Sequence, residues 1–112
     1  MTPNEYQQLA LRTEAKTESP NLRLLQGLMG LCGESGECLE ILKKHMFHGH
    51  WLDLIHIAKE LGDVAWYLAI AADSIGYSLE EIMQMNIDKL KERYPDGHFD
   101  SEKSINRKEG DI

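Results

Sequence analysis

Two acidic pairs stand out in a chain of 112 residues: Glu34 with Glu37, and Glu60 with Asp63. A spacing of three residues on an α-helix puts both side chains on nearly the same face, so each pair can aim two carboxylates at one point. The stretch between the pairs, Glu40 to Lys59, is long enough to finish one helix, turn and begin an antiparallel partner. Four carboxylates would then converge in one groove. Left bare they repel one another, and divalent cations that favour oxygen ligands, Mg²⁺ or Mn²⁺, answer that repulsion. An isolated ExxE also occurs on ordinary solvated helix faces. Basic residues such as Lys89 and Arg93 could equally neutralise the acids as a salt-bridge network. Spacing alone leaves both readings open.

The elements that must position these acids read as helices. Thr2-Pro3-Asn4-Glu5 is a helix start, with Thr2 as cap, Pro3 at the first helical position and Glu5 completing a capping box. This first helix is expected to fade near Lys16. Ser19-Pro20 repeats the signal and opens a second helix to about His45. Along it Leu24, Leu28, Leu31, Cys38 or Leu39, and Leu42 form an apolar stripe at helical spacing. Gly27, Gly30, Glu34 and Glu37 run beside that stripe. Gly27, Gly30, Gly33 and Gly36 each cost a helix roughly 1 kcal/mol relative to alanine. Either another backbone or a ligand approaches closely here, or the helix is broken; the stripe continuing on both sides favours close approach.

His45 to Trp51 breaks the pattern and is read as a loop around Gly49. A third helix follows from about Asp53 to Ile75, apolar around most of its circumference and therefore expected to be central and buried. Glu60 and Asp63 are conspicuous in it, on a line with Asp53, His56 and Tyr67. Ser78-Leu79-Glu80-Glu81 caps a fourth helix to about Tyr94, with Leu79, Met83 and Leu90 inward and Asn86, Lys89 and Arg93 along the same side. Pro95-Asp96-Gly97 ends it. The pattern predicts an all-α, four-helix bundle-like fold with a short polar C-terminal tail.

Composition narrows the function classes. The length fits one domain spanning residues 1–112. A net charge of −7 argues against wholesale binding to a nucleic-acid backbone, which needs a basic face. The first residues lack the basic-then-apolar pattern of a signal peptide, and the longest apolar run, Val64 to Ala72, is too short to span a bilayer. Cys32 and Cys38 form no CxxC pair and read as reduced packing residues, so the expected compartment is the cytoplasm. His45, His48 and His50 lack the cysteine or carboxylate spacing of a zinc site and read as loop residues. Trp51, Trp66 and Tyr67 read as core.

Three segments in order carry a family resemblance: Gly33-Glu34-Ser35-Gly36-Glu37, then Glu60-Leu61-Gly62-Asp63-Val64-Ala65-Trp66-Tyr67-Leu68, then Asn86 through Pro95 with its N-x-x-K-L and R-Y-P elements. Together they resemble the MazG-like all-α nucleoside triphosphate pyrophosphohydrolases, over roughly Leu25 to Arg107. The resemblance implies a MazG-type fold and hydrolysis of a nucleoside triphosphate between the α and β phosphates, giving the monophosphate and pyrophosphate. It implies that Glu34, Glu37, Glu60 and Asp63 are catalytic Mg²⁺ ligands. Asn86, Lys89, Arg93 and Tyr94 would contact the nucleotide, and the protein would form a homodimer or homotetramer. Two alternatives stand beside it: a related helical enzyme acting on a phosphoribosyl-ATP-type substrate, and a non-enzymatic helical oligomerisation module.

Overall fold

The computed structural model describes residues 1–17 and 19–112, and its secondary structure is all helical. Among the described residues five helices follow one another: α1 (Pro3–Leu11), α2 (Pro20–His48), α3 (Leu54–Ser74), α4 (Leu79–Arg93) and α5 (Ser101–Ile105). The expected all-α architecture is therefore present, with one short helix more than the sequence suggests. The chain resolves into two compact units, Met1–Leu79 and Glu80–Ile112.

In the first unit α1 begins as its sequence dictates. The Thr2 hydroxyl accepts the Glu5 N–H at 3.1 Å, and the Glu5 carboxylate accepts the Thr2 N–H at 3.1 Å. The helix stops at Leu11, well before Lys16. Thr13 explains the early stop: its hydroxyl donates to the Ala10 carbonyl at 2.9 Å and accepts the Trp66 indole N–H at 2.8 Å. A carbonyl that a side chain has already satisfied gives the helix less reason to continue.

Ser19 caps α2, accepting the Leu22 N–H at 3.4 Å. The helix runs three residues past His45, to His48, and ends where Gly49 takes a left-handed φ of 72°. His45 and His48 therefore lie in the last helical turn, and His45 Nδ1 sits 2.8 Å from the His50 carbonyl. Asp53 caps α3 by accepting the His56 N–H at 3.0 Å.

Small residues on α2 let α3 come close at the seam between them. A Cβ added at Gly27 would stand 3.0 Å from Ala71 Cβ, and one added at Gly30 would stand 2.5 Å from Tyr67 Cγ. Gly33 and Gly36 face open space, so two of the four glycines are explained by close approach. Rising numbers on α2 meet falling numbers on α3, which makes the pair antiparallel. Of the stripe read from spacing, Leu24, Leu31 and Cys38 are half-buried, whereas Leu28 and Leu42 are exposed and Leu39 is 67% exposed. Helix α3 also departs from all-round burial. Ala69 to Ala72 are buried, whereas Leu54, Leu61 and Ile55, the last 71% exposed, face outward.

Gln7 fastens α1 to the end of α3. Its side chain is almost wholly buried, and Nε2 donates to the carbonyls of Ala69 at 3.1 Å and Tyr77 at 3.2 Å. Its Oε1 accepts the Leu79 N–H at 3.0 Å. Around it Ala10, Ala69 and Leu79 form the core, with Tyr6, Trp66 and Leu68 against them. Arg23 clasps Glu14 at 2.7 and 2.9 Å and Asp73 at 2.7 Å. Trp66 meets Tyr67 edge to face, centroids 4.9 Å apart. Trp51 is 91% exposed and is no part of this core; free Cys32 is exposed too, and Cys38 is half-buried.

The second unit holds nearly all of α4, then a turn and α5. The Gly97 N–H reaches the Tyr94 carbonyl at 2.9 Å with a φ of 78° at the glycine. Met83, read as inward from spacing, is exposed. Asp100 starts α5 by accepting the Lys103 N–H at 3.2 Å. Five residues are too few to show helical periodicity, which is why the tail reads as irregular. Among the described residues no helix is long and apolar enough to cross a membrane.

Candidate functional site

Because α2 and α3 run antiparallel and close together, their acidic residues meet across the seam. Glu34, Glu60 and Asp63 each offer a carboxylate oxygen, and the three oxygens lie within 4.8 Å of one another. Glu34 and Glu60 are half-buried and Asp63 is exposed. One turn further along α2, Glu37 is exposed and stands outside this trio. Three of the four acids picked out by spacing are thus brought together.

The electrostatics record the crowding. The hydrogen bond it shares with Glu60 holds the Glu34 carboxyl above the usual carboxylate range. Partial desolvation and repulsion from Glu60, Asp63 and Glu37 push the same way. Glu37 therefore lies near enough for its charge to act on Glu34. Like charges crowded together disfavour the ionised form of each other.

Two neighbours support the trio. His56, one turn before Glu60 on α3, places Nε2 3.0 Å from Glu60 Oε1. Tyr6 of α1 donates its phenol to the Gly62 carbonyl at 3.4 Å. Burial raises the Tyr6 phenol above its ordinary range, and the Asp63 charge adds to that. Nothing in the spacing of α1 marks Tyr6; only its packing on α3 brings it here. Glu40, by contrast, pairs with Lys43 at 2.9 Å on the surface, as a solvated face does.

The four residues expected to meet a nucleotide all belong to the second unit. Asn86 is exposed and Lys89 half-buried. Arg93 is held in a two-point ion pair by Asp111, Nε at 2.9 Å and Nη2 at 2.7 Å. Tyr94 lies against Phe99 with centroids 5.7 Å apart, and the Arg93 guanidinium stands 5.9 Å from the Tyr94 ring centre.

Comparison with known proteins bears on what such a trio is for. The family model of the MazG nucleotide pyrophosphohydrolase domain matches residues 23–98, about two thirds of the chain and all three acidic positions. The chain belongs to the MazG family. A protein of Mycobacterium phage L5 described as "Gene 37 protein" is 35% identical over 69 residues. That match covers 58% of this chain, and the chain spans 60% of the phage protein's length. No solved structure matches. In this MazG chain the matched stretch takes in α3, most of α2 and all of α4.

Proposed function

We propose that residues 1–112 act as one MazG-like domain that hydrolyses nucleoside triphosphates, deoxynucleotides among them, to the monophosphate and pyrophosphate. The observation that carries this reading is the convergence of Glu34, Glu60 and Asp63 across two helices in a chain of this family.

The donor set suits Mg²⁺, with Mn²⁺ as a substitute. All three groups offer hard oxygen ligands, and such ions prefer oxygen. Ligands around Mg²⁺ at about 2.1 Å lie roughly 3 to 4 Å from one another. Oxygens within 4.8 Å reach that arrangement by small side-chain rotations. A cation held there would offset the repulsion that raises the Glu34 carboxyl. When bound, a divalent cation screens the triphosphate and makes hydroxide available near neutral pH.

The remaining work falls to side chains of this chain. Glu37, outside the trio, is free to take a proton from the attacking water. Lys89 and Arg93 offset charge on the departing pyrophosphate, and Asn86 and Tyr94 hold the nucleotide. Leu39, Phe47 and Ile55 leave apolar surface uncovered on α2 and α3, which suits a homodimer or homotetramer. Such an enzyme would serve housecleaning or control of nucleotide pools in the cytoplasm.

Pyrophosphate release, measured across a panel of ribo- and deoxynucleoside triphosphates with and without Mg²⁺, tests the reading. Metal-dependent release that Glu34→Gln with Glu60→Gln abolishes is the expected result. Release of orthophosphate instead, or turnover untouched by the double substitution, would refute it.

A further inference from the structure

A cavity of about 300 Å³ opens within the second unit, between α4 and the segment that follows it. Its lining carries five cationic side chains, Lys89, Arg93, Lys103, Arg107 and Lys108. Only three carboxylates share it, in a chain whose net charge is −7. One of the three is Asp111, and the cations are organised around it. Arg93 grips it through two hydrogen bonds, and both partners are largely shielded from solvent. Arg93, then Arg107 and Lys89, hold the Asp111 carboxyl below the usual range, so all three act on one anion. Lys103 is engaged elsewhere, 3.4 Å from Asp96.

We propose that this cavity is an oxyanion site for phosphate-bearing groups, and that Asp111 is its internal competitor. A carboxylate fills one guanidinium fork with two oxygens and a single charge. A phosphoryl group brings more charge and a third oxygen, so it engages Arg93 as Asp111 does and has capacity left for Arg107 and Lys89. The cavity lies at the small end of the range for ligand pockets, which suits a phosphate or pyrophosphate group better than a whole nucleotide. Asp111 then lets go only for an anion that outbids it, which tunes the site against weaker carboxylates. The link to catalysis rests on the assignment of Lys89 and Arg93 above; anion binding itself does not.

Pyrophosphate titrated calorimetrically into the metal-free chain tests the site without nucleotide or turnover. Binding to Asp111→Asn should be at least tenfold tighter than to the unaltered protein, and Arg107→Met with Lys108→Met should remove it. On the unaltered chain the Arg93 Nε–H resonance should move as pyrophosphate is added, which covers the case of a substitution that disturbs folding. A static Arg93 resonance, equal affinity with and without Asp111, or binding that survives loss of Arg107 and Lys108 would overturn the proposal. Orthophosphate and pyrophosphate run side by side distinguish a single-phosphate ligand from a reaction product. Failure to hydrolyse nucleotides would leave these binding results standing, so the two proposals fail separately.

Discussion

Alanine at Gly30 and at Gly33 should move stability in opposite directions, although the two residues lie one turn apart on the same helix. At Gly33 an added Cβ meets nothing within 4 Å. Gly33→Ala therefore gains only helix propensity, about 0.8–1 kcal/mol. At Gly30 the same gain meets the Tyr67 ring, whose Cγ would lie 2.5 Å from the new atom. Because Cγ is where the ring joins its stem, rotating the ring in place cannot clear it. The side chain must swing away from Gly30, which disturbs an edge-to-face contact with Trp66 worth about 0.5–1.5 kcal/mol. Overpacking of the seam costs about 1–3 kcal/mol more. Gly30→Ala should thus lose about 1–3 kcal/mol net, whereas Gly33→Ala gains nearly one. Urea unfolding followed by helical circular dichroism measures both. Equal shifts, or a Gly33→Ala chain less stable than Gly30→Ala, would show that the seam does not lie where Gly27 and Gly30 place it.

Gln7→Met keeps the shape of a buried side chain but leaves the buried Leu79 N–H without its partner and removes the hydrogen bonds to the Ala69 and Tyr77 carbonyls, so it should cost about 1–3 kcal/mol in the same urea assay; an unchanged midpoint would refute the fastening role. A pH effect follows from Glu34. Its proton is held more tightly in the folded chain than in the unfolded one, so folding takes up protons between the ordinary glutamate value and the raised one. The contribution of Glu34 to metal-free stability is fully present below the ordinary value and declines as pH rises through the raised one. Glu34→Gln removes that decline, so its stability relative to the unaltered chain should improve as pH rises above the ordinary glutamate value. A relative stability that worsens with that rise in pH would contradict a raised Glu34 carboxyl.

Local signals written in a few adjacent residues were legible without coordinates. Thr2-Pro3-Asn4-Glu5, Ser19-Pro20 and Asp53 each start the helix they announce. The pairing of Glu34 with Glu60 and Asp63 was legible too, because helical spacing and a connecting segment of known length fix which faces can meet. What spacing could not decide was which face of α2 turns inward. Residues at helical intervals look like one core stripe, yet beside Gly27 and Gly30 only Leu24, Leu31 and Cys38 of it are half-buried, and Leu28, Leu39 and Leu42 are left exposed. The same limit hid Tyr6 and Asp111. Each acts through a contact distant in sequence, Tyr6 by Gly62 and Asp111 on Arg93, and no periodicity marks either. Trp51 misled for a different reason: bulk and apolarity describe what a side chain prefers, not what its neighbours leave room for.

The cation site proposed at Glu34, Glu60 and Asp63 is open to a direct test. Titration of Mn²⁺ into the metal-free chain, with free ion counted by electron paramagnetic resonance, provides it. Saturable binding is the predicted result for the unaltered protein, lost in Glu34→Gln with Glu60→Gln and retained in Lys89→Met. Mn²⁺ binding of equal strength in the double variant would contradict the claim that Glu34, Glu60 and Asp63 hold the metal.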